Sequence, residues 1–301
     1  MADNVYENMI KKEVLDLIKN KIITLTNIKN INQNNLIIVL FFGGTSKEIN
    51  FNEDKIYNNY NEIIKYAFET NKLPIFVNGA TKSGHIAILE ELFDKYKNKK
   101  TFLTLGYTSK GYKKYDNKCI KQNLIKNDII FLYGDNTSDY GIETEQIFET
   151  ITPLLLMNKN NSIFVSFLNG GIITYHEFLY SILYLKRKND YFKNKKIEKV
   201  KFILHYGSGR FTDGLINSYI NNDQLKFENK KNEIIETDLI FSDKYINYYS
   251  YKKYSTIHNK IDNVINDIFK YKCNEYDNFY EFIVLDNIVF DYSSDYLSLF
   301  V

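Results

Sequence analysis

The feature that most constrains the fold is a recurrence. Asn35-Leu36-Ile37-Ile38-Val39-Leu40-Phe41-Phe42 is an almost unbroken apolar run that stops at Gly43-Gly44. A run of this length reads as a strand covered on both faces, the pattern of a parallel sheet. Similar runs follow at 74–77, stopping at Asn78-Gly79, at 101–105, at 128–133, stopping at Gly134-Asp135, at 162–168, stopping at Asn169-Gly170-Gly171, and at 200–205, just before Gly207. Between them lie segments with helical patterning, at about 54–71, 84–97, 141–157, from the Gly170-Gly171 turn to about 188, and 212–221. Strands alternating with helices imply βαβ units, and so an α/β fold: a Rossmann-like parallel sheet with helices on both faces. In such sheets ligands sit just past the carboxyl ends of the strands, where the glycines of this chain concentrate.

The flanks differ. Val5, Ile10, Val14, Ile18 and Ile22 recur at near-helical spacing and predict an N-terminal helix over 5–24, followed by a polar, Asn-rich linker over 25–35. Residues 226–301 break the alternation, with strands expected near 238–241 and 282–290 and a helix at 256–270. The expected organisation is therefore an N-terminal helix and linker (1–34), a Rossmann-like domain (35–225) and a C-terminal α+β extension (226–301).

Charge and composition narrow the function classes. A net charge of +2 and a pI near 8.1 are too weak a bias to imply nucleic acid or an acidic membrane. No apolar stretch reaches the roughly 20 residues needed to span a bilayer, and the first residues lack a signal-peptide core, so a cytoplasmic protein is expected. The two cysteines, Cys119 and Cys273, are far apart and imply no disulfide scaffold. The 26 tyrosines and absence of tryptophan fit an AT-rich coding sequence, so the tyrosines at 245–254 are not read as a base-stacking surface.

Three glycine-bearing turns carry the chemistry. The first, Gly43-Gly44-Thr45-Ser46, lets backbone approach an anion closely; its plainer reading is a tight turn. The second, Asn78-Gly79-Ala80-Thr81-Lys82-Ser83-Gly84-His85, follows a strand and opens a helix, so helix N-terminal N–H groups face it. It is not a P-loop, because His85-Ile86 stand where the Lys-Ser/Thr pair belongs. The third, Asn169-Gly170-Gly171-Ile172-Ile173-Thr174-Tyr175-His176-Glu177, joins a strong strand to an amphipathic helix. Thr174 can offer a hydroxyl to phosphate, and Glu177 is expected in the first helical turn. Thr-x-x-Glu is also the capping-box pattern, and the two readings are compatible. Asp135, Asp139 and Glu143 read as a solvated acidic loop or as partners for ribose hydroxyls.

In order and spacing, Gly-Gly-Thr-Ser at 43–46, Asn-Gly-Ala-Thr-Lys-Ser-Gly at 78–84 and Asn-Gly-Gly-x-x-Thr-x-x-Glu at 169–177 resemble the LOG family (lysine decarboxylase-like proteins) of the SLOG superfamily, whose signature is P-G-G-x-G-T-x-x-E. The resemblance covers about 35–225. It implies a hydrolase that cleaves the N-glycosidic bond of nucleoside 5′-monophosphates, a phosphoribohydrolase releasing free base and ribose 5-phosphate. Gly170, Gly171 and Thr174 would hold the 5′-phosphate. Gly43, Gly44, Thr45, Gly79, Ser83 and Gly84 would line the ligand, and Glu177 would support the oxocarbenium-like centre or orient the attacking water. The resemblance implies a homodimer and no metal or redox cofactor. Here Asn169 replaces the proline, Ile173 replaces the third glycine, and the family's Arg-Lys pair has no counterpart at 151–157. Arg210, in a neighbouring turn, is the candidate substitute. Two other readings stand beside the enzyme: a non-catalytic SLOG-like module that senses a nucleotide-like molecule, and a degenerate fold serving as a scaffold.

Overall fold

The structure is a computed structural model that describes residues 5–29, 35–44, 53–82, 84–115, 124–138, 140–191, 200–206, 208–221, 224–228, 234–242, 245–248 and 280–286. The chain runs β1 (Val5–Glu7), α1 (Lys11–Lys29), β2 (Leu36–Phe42), α2 (Glu53–Glu69), β3 (Leu73–Asn78), α3 (Ile86–Lys97), β4 (Leu103–Ser109), β5 (Ile129–Tyr133), α4 (Ile142–Leu156), β6 (Ser162–Phe167), α5 (Ile172–Tyr191), β7 (Val200–Tyr206), α6 (Arg210–Asn221), β8 (Gln224–Glu228), β9 (Ile234–Ser242), β10 (Tyr245–Tyr248) and β11 (Tyr280–Asp286). Eight strands form one sheet in the order β1-β5-β4-β3-β2-β6-β7-β11, with every neighbouring pair parallel. This is the Rossmann-like α/β arrangement expected from the alternation.

Side chains of β2 divide by parity, as a pleated strand requires. Ile37, Val39 and Phe41 pack with Ile56, Tyr60, Ile63 and Ile64 of α2 and Leu89 and Phe93 of α3. Leu36, Ile38, Leu40 and Phe42 join the opposite layer with α1, α4 and α5, including Val14, Ile18, Ile147, Phe148, Ile151 and Phe178. Because both faces are covered, β2 through β6 are buried along their whole length. That explains why they read as continuous apolar runs.

The sheet extends past residues 35–225 on both sides. The helix expected from residue 5 starts only at Lys11. Val5–Glu7 form an edge strand paired with Ile130–Leu132, and Asn8, at φ 46°, turns the chain between the two elements. Ile10, counted in the helical stripe, is 63% exposed, whereas Val14, Ile18 and Ile22 are buried. The expected linker is shorter too, because α1 continues to Lys29. At the other end, β8, β9 and β10 form a three-stranded antiparallel sheet. Leu225, Phe227 and Ile235 enter the main core, with Phe227 edge-on to Phe211. β9 covers the strand expected at 238–241. β11 overlaps the one expected at 282–290 and lies parallel to β7, with Tyr280 opposite Val200. The helix expected at 256–270 lies outside the described residues. Among the described residues no helix is long and apolar enough to cross a membrane.

The order of the sheet locates the site. From β2 the chain builds outward through β3, β4 and β5, then returns to place β6 on the other side of β2. The crevice beyond the carboxyl ends of β2 and β6 is therefore the topological switch point, where open α/β sheets bind ligands.

Candidate functional site

Two of the three glycine turns meet at this switch point. The N–H of Leu168 donates to the Phe42 carbonyl (3.1 Å), and that of Gly170 to the Gly44 carbonyl (3.2 Å), so the β2 and β6 turns are laced together. Gly43 has φ +130°, and a Cβ there would collide with the carbonyl oxygen of Leu168. Gly170 has φ +85°, and its missing side chain makes room for the Thr174 hydroxyl. Gly44 is exposed, with open space around it.

Asn169 welds the β6 turn to the β7 turn. It is fully buried and adopts φ 57°, a conformation asparagine tolerates better than most residues. Its N–H donates to Ser208 Oγ (2.8 Å), and its side-chain amide donates to the Ser208 carbonyl. Its Oδ1 accepts the Gly170 N–H (2.6 Å) and an Arg210 guanidinium N–H (3.4 Å), while its carbonyl accepts the Thr212 hydroxyl (2.8 Å). Asparagine in place of proline thus has a structural job. Arg210 also donates to the Glu228 carbonyl (3.4 Å), and its guanidinium lies where a Cβ on Gly171 would go. A cation therefore stands at the start of α5.

The capping-box expectation fails. The Tyr175 N–H donates to the Gly171 carbonyl (2.9 Å), so Gly171 is the N-cap and the helix begins at Ile172. Thr174 is then the third helical residue, and Glu177 lies in the second turn rather than the first. The αL turn at Asn169-Gly170 starts the helix earlier than the Thr-x-x-Glu pattern suggests. The N–H groups of Ile172, Ile173 and Thr174 have no acceptor within the helix, as at any helix start. They form an anion-binding end next to Arg210.

Glu177 is partly buried, but its Oε2 is shielded from solvent and has no hydrogen-bond partner among the described residues. Burial pushes its carboxyl well above the usual range, and the charge of Glu143 adds to this. Hydrogen bonds from the Thr174 hydroxyl and the Gly43 N–H oppose it. Glu143 is not in a solvated loop. It is 8% exposed in the first turn of α4, its Oε2 accepts the Gly141 N–H (2.9 Å), and burial raises its carboxyl to about 7. The starts of α4 and α5 abut: the Cγ2 and Cγ1 carbons of Ile173 lie 3.6 and 3.7 Å from where a Cβ on Gly141 would be. Ile173 thus leans toward α4. Asp135 is exposed and held by Thr137 and Ser138, as a loop acid would be; Asp139 lies outside the described residues.

The second turn contributes differently from the expectation. Asn78 Oδ1 accepts the Ala80 N–H (2.8 Å), Ala80 O accepts the Ile125 N–H (2.8 Å), and Thr81 bridges to Leu124. Gly79 therefore belongs to a turn tied to the 124–127 segment. Gly84 is exposed, and Lys82 pairs with Glu90 (2.7 Å). The residue that reaches the first turn is His85, 2% exposed, whose Nε2 lies 3.1 Å from where a Cβ on Gly43 would sit. Nε2 finds no hydrogen-bond partner among the described residues, while Nδ1 is 2.6 Å from the Tyr60 hydroxyl. Burial lowers His85 to about 4, with the Gly43 backbone partly offsetting this. Behind it, Tyr60 lies edge-on to His205, whose Nε2 pairs with Ser166 Oγ (2.9 Å). His205, one residue before the end of β7, is lowered to about 3 by burial and then by His85.

Gly43, Gly44, Gly170, Gly171, Thr174 and Glu177 are thus brought together, and Gly79 and Gly84 stand one strand away. Thr45 and Ser83, like Cys119 and Cys273, lie outside the described residues. The sequence left Glu143 open between a solvated loop and a partner for ribose hydroxyls and gave Tyr60 no place in the site; the available signal was an acid two residues after the glycine that caps α4. No group of three or more His, Cys, Asp or Glu side chains among the described residues is disposed to hold a metal ion. No protein-family model matches the chain, and no curated protein matches it.

Proposed function

We propose that the crevice outside β2 and β6 binds a nucleoside 5′-monophosphate and hydrolyses its N-glycosidic bond, as the likeness of residues 35–225 to the LOG family implies. The observation that carries this reading is the placement of one carboxyl group. Glu177 sits against Gly43, one helical turn beyond an anion-binding helix start that has Arg210 beside it. In this reading the 5′-phosphate takes the N–H groups of Ile172, Ile173 and Thr174 and the Arg210 guanidinium, while the Thr174 hydroxyl stays with Glu177. Arg210 supplies the cation that 151–157 lacks. The ribose lies over Gly43-Gly44, and Glu177 acts at the C1′–N bond. By the same likeness the working form is a cytoplasmic homodimer without metal or redox cofactor.

A second reading, a nucleotide-sensing module without catalysis, draws support from a different observation. The groups acting on Glu177 include no cation, so burial and Glu143 hold it toward its neutral form. Incubation with a panel of nucleoside 5′-monophosphates, followed by mass spectrometry for free base and ribose 5-phosphate, separates the two. Release that vanishes in a folded Glu177→Ala variant supports the hydrolase. Nucleotide binding by folded wild-type protein without release supports the sensor.

A further inference from the structure

Within the hydrolase reading, on which this step rests, we infer that Glu143 is a second catalytic residue, the carboxylate that takes the proton of the attacking water while Glu177 serves as the acid that protonates the leaving base. No motif of the chain assigns Glu143 a catalytic role. Its position does. Glu143 lies in the first turn of α4, where the helix dipole favours a charged carboxylate, and the Gly141 N–H fixes one of its oxygens at 2.9 Å. Glu177 lies in the second turn of α5, beyond the reach of that dipole effect, with Oε2 buried and unpartnered. An unpaired buried oxygen is costly when ionised and far less so when it carries a proton.

The surroundings fit one proton for the pair. The groups that face Glu177 are Thr174 on its own helix, Gly43 after β2 and Glu143 on α4. Facing Glu143 is the Gly141 N–H, and its shift tracks burial first. His85, beside Gly43, is held neutral by burial, and Arg210, beside Gly171 and bonded to Asn169 and Glu228, is not among the groups acting on either carboxyl. Gly141, which holds Glu143, abuts Ile173 of α5, and no cation is among the groups that act on either carboxyl, so the two are not expected both to ionise.

A separate observation points to a ligand at this place. His85 Nε2, 2% exposed and lying against Gly43, has no hydrogen-bond partner among the described residues. Polar atoms left unsatisfied in native interiors are few, and one that lies against Gly43 fits a partner that arrives with a bound molecule.

The step balances within the pair. The C1′–N bond breaks and its electrons go to the base, which takes the proton of Glu177. The oxygen of one water bonds to C1′, and the proton that water loses goes to Glu143. Passing that proton from Glu143 to Glu177 restores the starting state. One water is consumed, and free base and ribose 5-phosphate leave.

Three variants test the assignment. Glu143→Gln keeps an acceptor for the Gly141 N–H, and it is expected to cut kcat about a hundredfold to ten-thousandfold on unmodified nucleotides. N7-methylguanosine 5′-monophosphate, whose base departs without protonation, is expected to restore Glu177→Gln but not Glu143→Gln. Azide, which needs no base, is expected to restore Glu143→Ala and yield ribosyl azide 5-phosphate, visible by mass spectrometry. Rescue in the opposite sense, or no azide product from a folded Glu143→Ala variant, overturns the assignment. Carboxyl-carbon NMR of labelled glutamates gives a readout independent of turnover: Glu177 is expected to titrate at lower pH in Glu143→Gln than in wild type. An unmoved titration overturns the pairing. Wild-type protein that releases no base overturns the hydrolase reading and the catalytic step together, and the shared proton is then decided by the titration.

Discussion

The carbonyl oxygen of Leu168 occupies the space that a side chain on Gly43 would need. This contact locks the end of β2 to the end of β6 and leaves Gly43 at φ +130°. Gly43→Ala is therefore expected to destabilise the protein by about 1–3 kcal/mol or more, because strain and backbone collision act together. Gly44→Ala meets nothing within 4 Å and is expected to change stability by under about 0.5 kcal/mol. Urea denaturation of the two variants side by side checks the contrast.

Glu143 makes stability depend on pH in a defined direction. Its folded-state value of about 7 lies above the ordinary 4.5, so the folded protein binds more protons than the unfolded chain between those values. The stability this provides is present below about pH 4.5 and is lost as pH rises through 7. Glu143→Gln has no such loss. Its stability relative to wild type is expected to rise between pH 4.5 and 8, by up to roughly 3 kcal/mol. His85 and His205 act in the opposite sense, destabilising as pH falls below about 6.5, but they are common to both proteins and cancel in the difference, whereas Glu177, relieved of the Glu143 charge in the variant, adds to the rise. Thermal or urea unfolding at several pH values measures it.

Arg210 and Gly171 separate binding from folding. Arg210→Ala is expected to weaken binding of a nucleoside 5′-monophosphate roughly tenfold to a hundredfold, the range for losing a charge-assisted hydrogen bond. Gly171→Ala displaces only the far end of the Arg210 side chain, so it is expected to spare stability while weakening the same binding. Calorimetric titration of the three proteins with one nucleotide decides it. Equal affinity in all three would remove the anion from this helix start.

Tyr60 is expected to matter through His85. Removing its hydroxyl leaves Nδ1 of a buried histidine unpaired, so Tyr60→Phe is expected to cost about 1–3 kcal/mol although it retains the ring. Denaturation against wild type tests this, and a neutral result would show that the histidine finds another partner.

Much of the fold was legible in the sequence because burial on both faces of a parallel sheet writes itself as short apolar runs. β2 to β7 all fall where those runs are. The three-residue β1 was not legible: Val5 and Tyr6 join the sheet by pairing with Ile130 and Phe131, more than a hundred residues away, and their spacing also continued the stripe of α1. The site was legible where one turn made it, as at Gly170-Gly171, and obscure where two elements meet. Glu143 looks like any loop acid until α5 packs beside it. Thr174 and Glu177 match a capping box letter for letter, yet the turn at Asn169-Gly170 moves the helix start and converts a cap into a hydroxyl–carboxyl pair within the helix.

The sheet also sets an order for assembly during synthesis. β2 through β7 are contiguous enough in the chain to pair as a nascent polypeptide lengthens, but the outer partner of β7 is β11, whose Tyr280 lies 80 positions after Val200. Until that segment leaves the ribosome, β7 presents an open edge, the kind of surface on which strands of other chains can template. Slow translation between residues 206 and 280 would lengthen that exposure, and a chain stalled there would be the form most in need of a chaperone.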